Sequence, residues 1–154
     1  MQRPINELAD EETPRILRFD CGGCSGCHLQ TAGWLVALSD AGRVSLVRSS
    51  STDEVDVLLV TGAVLRHDAL RLRRLYQRIA PAPVVVAVGA CSLSGGVFAG
   101  AYGVVEGASE VIPVDVLVPG CPPRADAVFD GVFQSLRALP AALTRIQPRL
   151  KIPA

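Results

Sequence analysis

Three stretches of this chain are apolar almost without interruption: VDVLLVTG at 55–62, PVVVAVGA at 83–90 and VDVLVPG at 114–120. A strand with one face in water alternates polar and apolar residues. A near-continuous run of Val, Leu and Ala therefore predicts a strand covered on both faces, in the middle of a parallel sheet. The segments between them supply the covers. HDALRLRRLYQRIA (67–80) repeats Leu72, Leu75 and Ile79 at helical spacing, with Arg71, Arg74 and Arg78 marking a polar side. RADAVFDGVFQSLRAL (124–139) carries an apolar face of Val128, Phe129, Val132, Phe133 and Leu136. HLQTAGWLVALS (28–39) reads as a helix with Trp34, Leu35 and Leu38 on one side, while RILRF (15–19) and RVSLVRS (43–49) read as strands. Strands alternating with helices predict an α/β fold with a mostly parallel sheet and right-handed crossovers.

In such sheets ligands gather beyond the carboxyl ends of the strands. The five cysteines follow that rule. CGGCSGC (21–27) follows the first strand, Cys91 follows VVVAVGA and Cys121 follows VDVLVPG. Three separate loops thus bring sulfur to one edge of one sheet. With 49% hydrophobic residues and 154 positions, the chain suits one compact domain with a sizeable core. Its formal net charge of zero argues against a general nucleic-acid binder. The polar, acidic start predicts no signal peptide, and no apolar run is long enough to cross a bilayer. A cytoplasmic protein is expected, and there cysteines serve metal or redox chemistry rather than a disulfide framework. The boundaries read as an exposed arm (1–14), one domain (15–139) and a Pro-broken basic tail (140–154).

Thiolates converging in this way suit structural zinc or an iron–sulfur cluster. Zinc sites usually present two close pairs; here a close pair is joined by two distant single cysteines, and glycines surround every sulfur. Gly lets backbone N–H groups approach inorganic sulfide, which favours the cluster. Both Cys21-Gly-Gly-Cys24 and Cys24-Ser-Gly-Cys27 are C-x-x-C pairs sharing Cys24. There is no nucleophile–base pair and no phosphate loop of the Walker or G-x-G-x-x-G kind.

CSGC, GACSLSGGVF, LLVTGAVLR and above all IPVDVLVPGCPP, in order between about residues 16 and 137, resemble the small-subunit family shared by NiFe hydrogenases and respiratory complex I. The resemblance implies a flavodoxin-like domain with one 4Fe–4S cluster next to the active site of a large subunit. In the energy-converting, formate hydrogenlyase-like branch, an Asp leads through a small residue, Gly and Ser into C-x-G-C. DCGGCSGC matches that frame, which implies Cys24, Cys27, Cys91 and Cys121 as the iron ligands and Cys21 as a spare thiol. Complex I subunits typically carry adjacent cysteines here, so the spaced pair is of the hydrogenase type. Uptake hydrogenase small subunits carry an added domain with more clusters, for which no cysteines remain in this chain.

The family reading implies an electron-transfer subunit of a membrane-associated oxidoreductase, not catalytic alone. Its partners would be a large subunit, a ferredoxin-like iron–sulfur subunit and, indirectly, membrane subunits on the cytoplasmic side of the inner membrane. The equivalent subunit of a complex I-like NADH/quinone oxidoreductase is the alternative, and a zinc-stabilised interaction module is the alternative of another class. Three further residues are candidates for tuning the site. His28 stands where many relatives have Asp or Glu, either near the cluster or simply as a helix-start residue bonded to backbone. Ser92 is placed to cap N–H groups near the cluster, and Arg66 falls near the expected partner face or is a solvated loop charge.

Overall fold

A computed structural model describes residues 13–48 and 55–137 of the chain. Nearly all of the predicted arm, and the predicted tail at 140–154, lie outside the described residues.

Five strands form one all-parallel sheet: β1 (Arg15–Asp20), β2 (Ser45–Val47), β3 (Val57–Thr61), β4 (Val84–Val88) and β5 (Val116–Val118). Their order across the sheet is β2-β1-β3-β4-β5, the flavodoxin-like arrangement. Every residue of β3 and β4 is buried, so both apolar runs lie in the middle of a sheet covered on both faces. Alternate side chains separate into two cores. Leu58, Val60, Val85 and Ala87 pack with Leu72 and Leu75 of α2 (Arg66–Arg78) and with Ile79 just after it. Val57, Leu59, Val86 and Val88 pack with Leu35 of α1 (Gly26–Asp40) and Val128 and Val132 of α4 (Ala125–Arg137). Each fully buried Val or Leu stabilises the fold by roughly 1.5–3 kcal/mol.

Two aspartates fix the strand register at the amino edge. Asp115 ahead of β5 accepts a hydrogen bond from the Val85 N–H at 2.8 Å, and its own N–H donates to the Val85 carbonyl. Asp56 accepts from the Arg15 N–H at 2.7 Å and donates back to the Arg15 carbonyl.

The elements are shorter than the apolar runs. RVSLVRS yields only Ser45–Val47, with Ser45 and Leu46 exposed at the sheet edge. The run at 83–90 stops at Val88, and Ala90–Ser94 turns into a short helix, α3. Cys91 therefore sits on a helix rather than at the end of the strand. Helix α1 begins at Gly26, two residues earlier than its apolar pattern, which puts Cys27 and His28 in its first turn.

Candidate metal centre

The parallel sheet sends the chain after β1, β4 and β5 to the same edge. The first of these loops leaves β1, whose neighbours are β2 and β3, the point where the strand order reverses. That is where such sheets open a crevice. Leaving β1, Cys21 donates its N–H to the Thr61 carbonyl at 2.9 Å, and the Ala63 N–H donates to Gly22 at 2.7 Å. Cys24 follows, then Ser25 in the left-handed region at φ 63°, and α1 begins. The loop, Thr61, Gly62 and Cys91 line a small cleft.

Four thiols are electrostatic neighbours. Burial pushes the Cys27 thiol up, and Cys91, Cys121 and Cys24 push it further in that order. Burial also raises Cys91, helped by Cys121 and Cys24 and opposed by a hydrogen bond from the backbone at Val97. Cys91 is buried, Cys27 is partly buried, and Cys24 and Cys121 are exposed. Glycines make the room. Gly89 has φ 91°, and a Cβ there would run into the Cys27 sulfur; one on Gly96, at φ 53°, would press against the Cys91 sulfur at 2.9 Å. Among the described residues, no three His, Cys, Asp or Glu side chains are arranged to hold a single metal ion.

Cys21 keeps different company. It packs partly against the core on the α2 side, and its thiol is pushed up to about 12. Burial is the main cause, Asp68 and Asp20 add to it, and Arg71 opposes them. None of the other four cysteines contributes to that shift.

The other expected site residues make contacts that the sequence did not announce. His28 makes no backbone bond from its ring; Nδ1 lies 2.8 Å from Oδ2 of Asp20. Ser92 does not cap N–H groups at the sulfurs: its fully buried hydroxyl donates to the Val60 carbonyl at 3.2 Å, tying α3 to β3. Arg66 is the first residue of α2 rather than a loop charge, and its guanidinium stacks 5.2 Å from the centre of the Tyr102 ring. Thr61 is a residue that sequence reasoning missed, and Asp20, which leads the DCGGCSGC frame, was given no role there. Thr61 Oγ1 donates to Asp20 Oδ1 at 2.7 Å, and Arg18 Nε to Oδ2 at 2.9 Å. Nothing in the local pattern pairs residues 41 positions apart.

Chemically, the edge offers four soft sulfur donors, glycine-opened backbone and one N–H aimed at a sulfur. That donor set fits a thiolate-ligated metal group.

Comparison with known proteins agrees with the fold. The family model described as NADH ubiquinone oxidoreductase, 20 kDa subunit, matches residues 21–135. The chain is 37% identical over 147 residues to an uncharacterized protein of Methanocaldococcus jannaschii, covering 96% of this chain and 97% of that one. It is 38% identical over 124 residues to formate hydrogenlyase subunit 7 of Escherichia coli, covering 80% of this chain but only 49% of the relative. It thus spans about half the length of that relative. A probable membrane-bound hydrogenase subunit of Pyrococcus furiosus is 35% identical over 127 residues, with 82% of this chain and 76% of the relative covered. Among solved structures, a chain of the membrane-bound sulfane sulfur reductase, an archaeal respiratory membrane complex, matches with a TM-score of 0.68. The two are 27% identical, covering 82% of this chain and 71% of the other.

Proposed function

The chain belongs to the family of the 20 kDa subunit of NADH ubiquinone oxidoreductase, and on that premise we propose that it is the electron-transfer subunit of a membrane-associated NiFe hydrogenase. Cys24, Cys27, Cys91 and Cys121 would hold one 4Fe–4S cluster beside the active site of a large subunit. The supporting observation is the mutual electrostatic influence of those four thiols, drawn from three loops, none of which acts on the Cys21 thiol. Four thiols from separate loops, with glycine against the sulfurs of Cys27 and Cys91, suit a group ligated at its corners. Bound there, the cluster supplies one-electron transfer. The chain's own part is to hold the irons through thiolates, keep solvent from the Cys91 side and aim the Val97 N–H at a sulfur. The similarity to formate hydrogenlyase subunit 7 and to the membrane-bound hydrogenase subunit is consistent with this reading, and the spaced Cys24–Cys27 pair is what inclines it toward hydrogenase.

The test is anaerobic reconstitution of the full chain with ferrous iron and sulfide, followed by iron and sulfide analysis and electron paramagnetic resonance. About four irons and four sulfides per chain are expected. Replacing Cys24, Cys27, Cys91 or Cys121 with Ala should remove or convert the signal, and Cys21→Ala should leave it nearly unchanged. Loss of the cluster in Cys21→Ala with retention in Cys27→Ala would overturn the ligand set. Zinc without sulfide would favour the interaction module.

A second reading, a subunit of a complex I-like quinone oxidoreductase, draws on the description of the matching family. The sequence of the large subunit that co-purifies with this chain separates the two. Nickel-ligating C-x-x-C pairs at both of its ends support hydrogenase, and their absence supports the quinone-type assembly.

A further inference from the structure

We infer that Asp20 is a positioning residue: its carboxylate clasps His28 and thereby closes the loop that carries Cys24 and Cys27, setting both sulfurs for the metal group. This inference rests on the proposed cluster reading. Asp20 ends β1, and its carboxylate is contacted from three places, twice by hydrogen bonds and once by a close ring nitrogen. Oδ1 accepts from Thr61 Oγ1 at 2.7 Å; Oδ2 takes Arg18 Nε at 2.9 Å and His28 Nδ1 at 2.8 Å. Thr61 is 1% exposed and lies in β3, so this end of the clasp is rooted in the rigid centre of the sheet.

The other end is the first turn of α1. Between the two run residues 21–27, three of them glycine and a fourth, Ser25, in the left-handed region. Such a loop restrains itself poorly, because glycine leaves the backbone the widest choice of conformations. Nor does Ser25 cap the helix with its side chain. The contact between Asp20 and His28 is the described side-chain contact that spans the loop, and it fixes the distance between the loop's two ends. Holding those ends removes conformational freedom that the loop would otherwise lose when its sulfurs bind. The contact is a close approach of a ring nitrogen to a carboxylate oxygen, 2.8 Å apart.

The experiment uses the full chain reconstituted anaerobically with ferrous iron and sulfide. Its readouts are the rate of iron loss to a chelator and the paramagnetic signature of the reduced form. His28→Ala cuts the clasp at a partly exposed helix position and leaves the Thr61 and Arg18 bonds to Asp20 in place. Asp20→Ala cuts all three. Both should lose iron about tenfold faster than wild type, in the range seen when supporting partners of metal ligands are removed, and both should show shifted or broadened signals. His28→Asn, whose amide nitrogen can take the place of Nδ1, should return both readouts close to wild type. A merely structural role would lower the melting temperature of Asp20→Ala and leave His28→Ala indistinguishable from wild type. That result would overturn the clasp and leave the cluster reading standing. A wild-type chain that takes up no iron and sulfide would overturn the cluster reading and this inference together.

Discussion

Cys21 shares its C-x-x-C spacing with Cys27, and what separates them is the chemistry of their surroundings. Burial of Cys21 against the core, with the negative charges of Asp68 and Asp20 adding to it, favours its protonated form. The folded chain holds that proton up to about pH 12, whereas the unfolded chain releases it near the ordinary thiol value of roughly 8.5. The stability that comes from burying the neutral thiol is therefore complete below about pH 8.5 and is lost as pH rises toward 12, at up to about 1.4 kcal/mol per pH unit. Urea unfolding of the metal-free chain at pH 8 and pH 10 should show wild type losing more stability than Cys21→Ala. Equal losses would mean that the thiol is not held neutral. Gly89 offers a second test at this scale. A Cβ there would overlap the Cys27 sulfur, and φ 91° is unfavourable for Ala. Gly89→Ala should abolish iron uptake measured by the characteristic visible absorption, while Gly33→Ala, with open space around its Cβ, should bind as wild type.

Among the elements, the central strands were the most legible. VVVAV in β4 is buried along its whole length, and a run of that kind has no polar face to turn to water. The convergence of sulfur at one edge followed from strand direction alone. Less was legible where the determining partner is remote. The Asp115 bond to Val85 and the clasp of Asp20 on Thr61 and His28 join residues whose local sequences carry no sign of each other. The start of α1 was misplaced by two residues because Gly26 and Cys27 have no apolar periodicity to announce them. Two substitutions probe these elements. Asp115→Ala removes a carboxylate bond to the backbone of β4 and should cost about 1.5–3 kcal/mol, read as a lower midpoint of chemical denaturation. Ser25, the one described non-glycine residue with positive φ, carries a penalty of roughly 1–2 kcal/mol that glycine escapes. Ser25→Gly should raise the melting temperature by a few degrees at most, because its more flexible unfolded chain offsets part of the gain.

At the scale of the whole molecule, the sulfur edge is only half enclosed. Cys24 and Cys121 are exposed, and Val97, whose N–H serves Cys91, is 81% exposed. A metal group there needs a further protein surface to shield it. On the proposed reading, co-expression with the large subunit should slow iron loss in air relative to the chain alone; a chain that keeps its full complement unaided would count against that partner. The same edge has a history in time as well as a place in space. Roughly 90 positions separate Cys27 from Cys121, and at a synthesis rate of roughly 5–20 residues per second this leaves roughly 5–20 s between their appearances at the ribosome. Cys24 and Cys27 therefore emerge first, Cys91 later, and the last sulfur only when β5 has been made. On the proposed reading, a metal delivered early would meet an incomplete set of thiolates, so loading would wait until the final strand has docked.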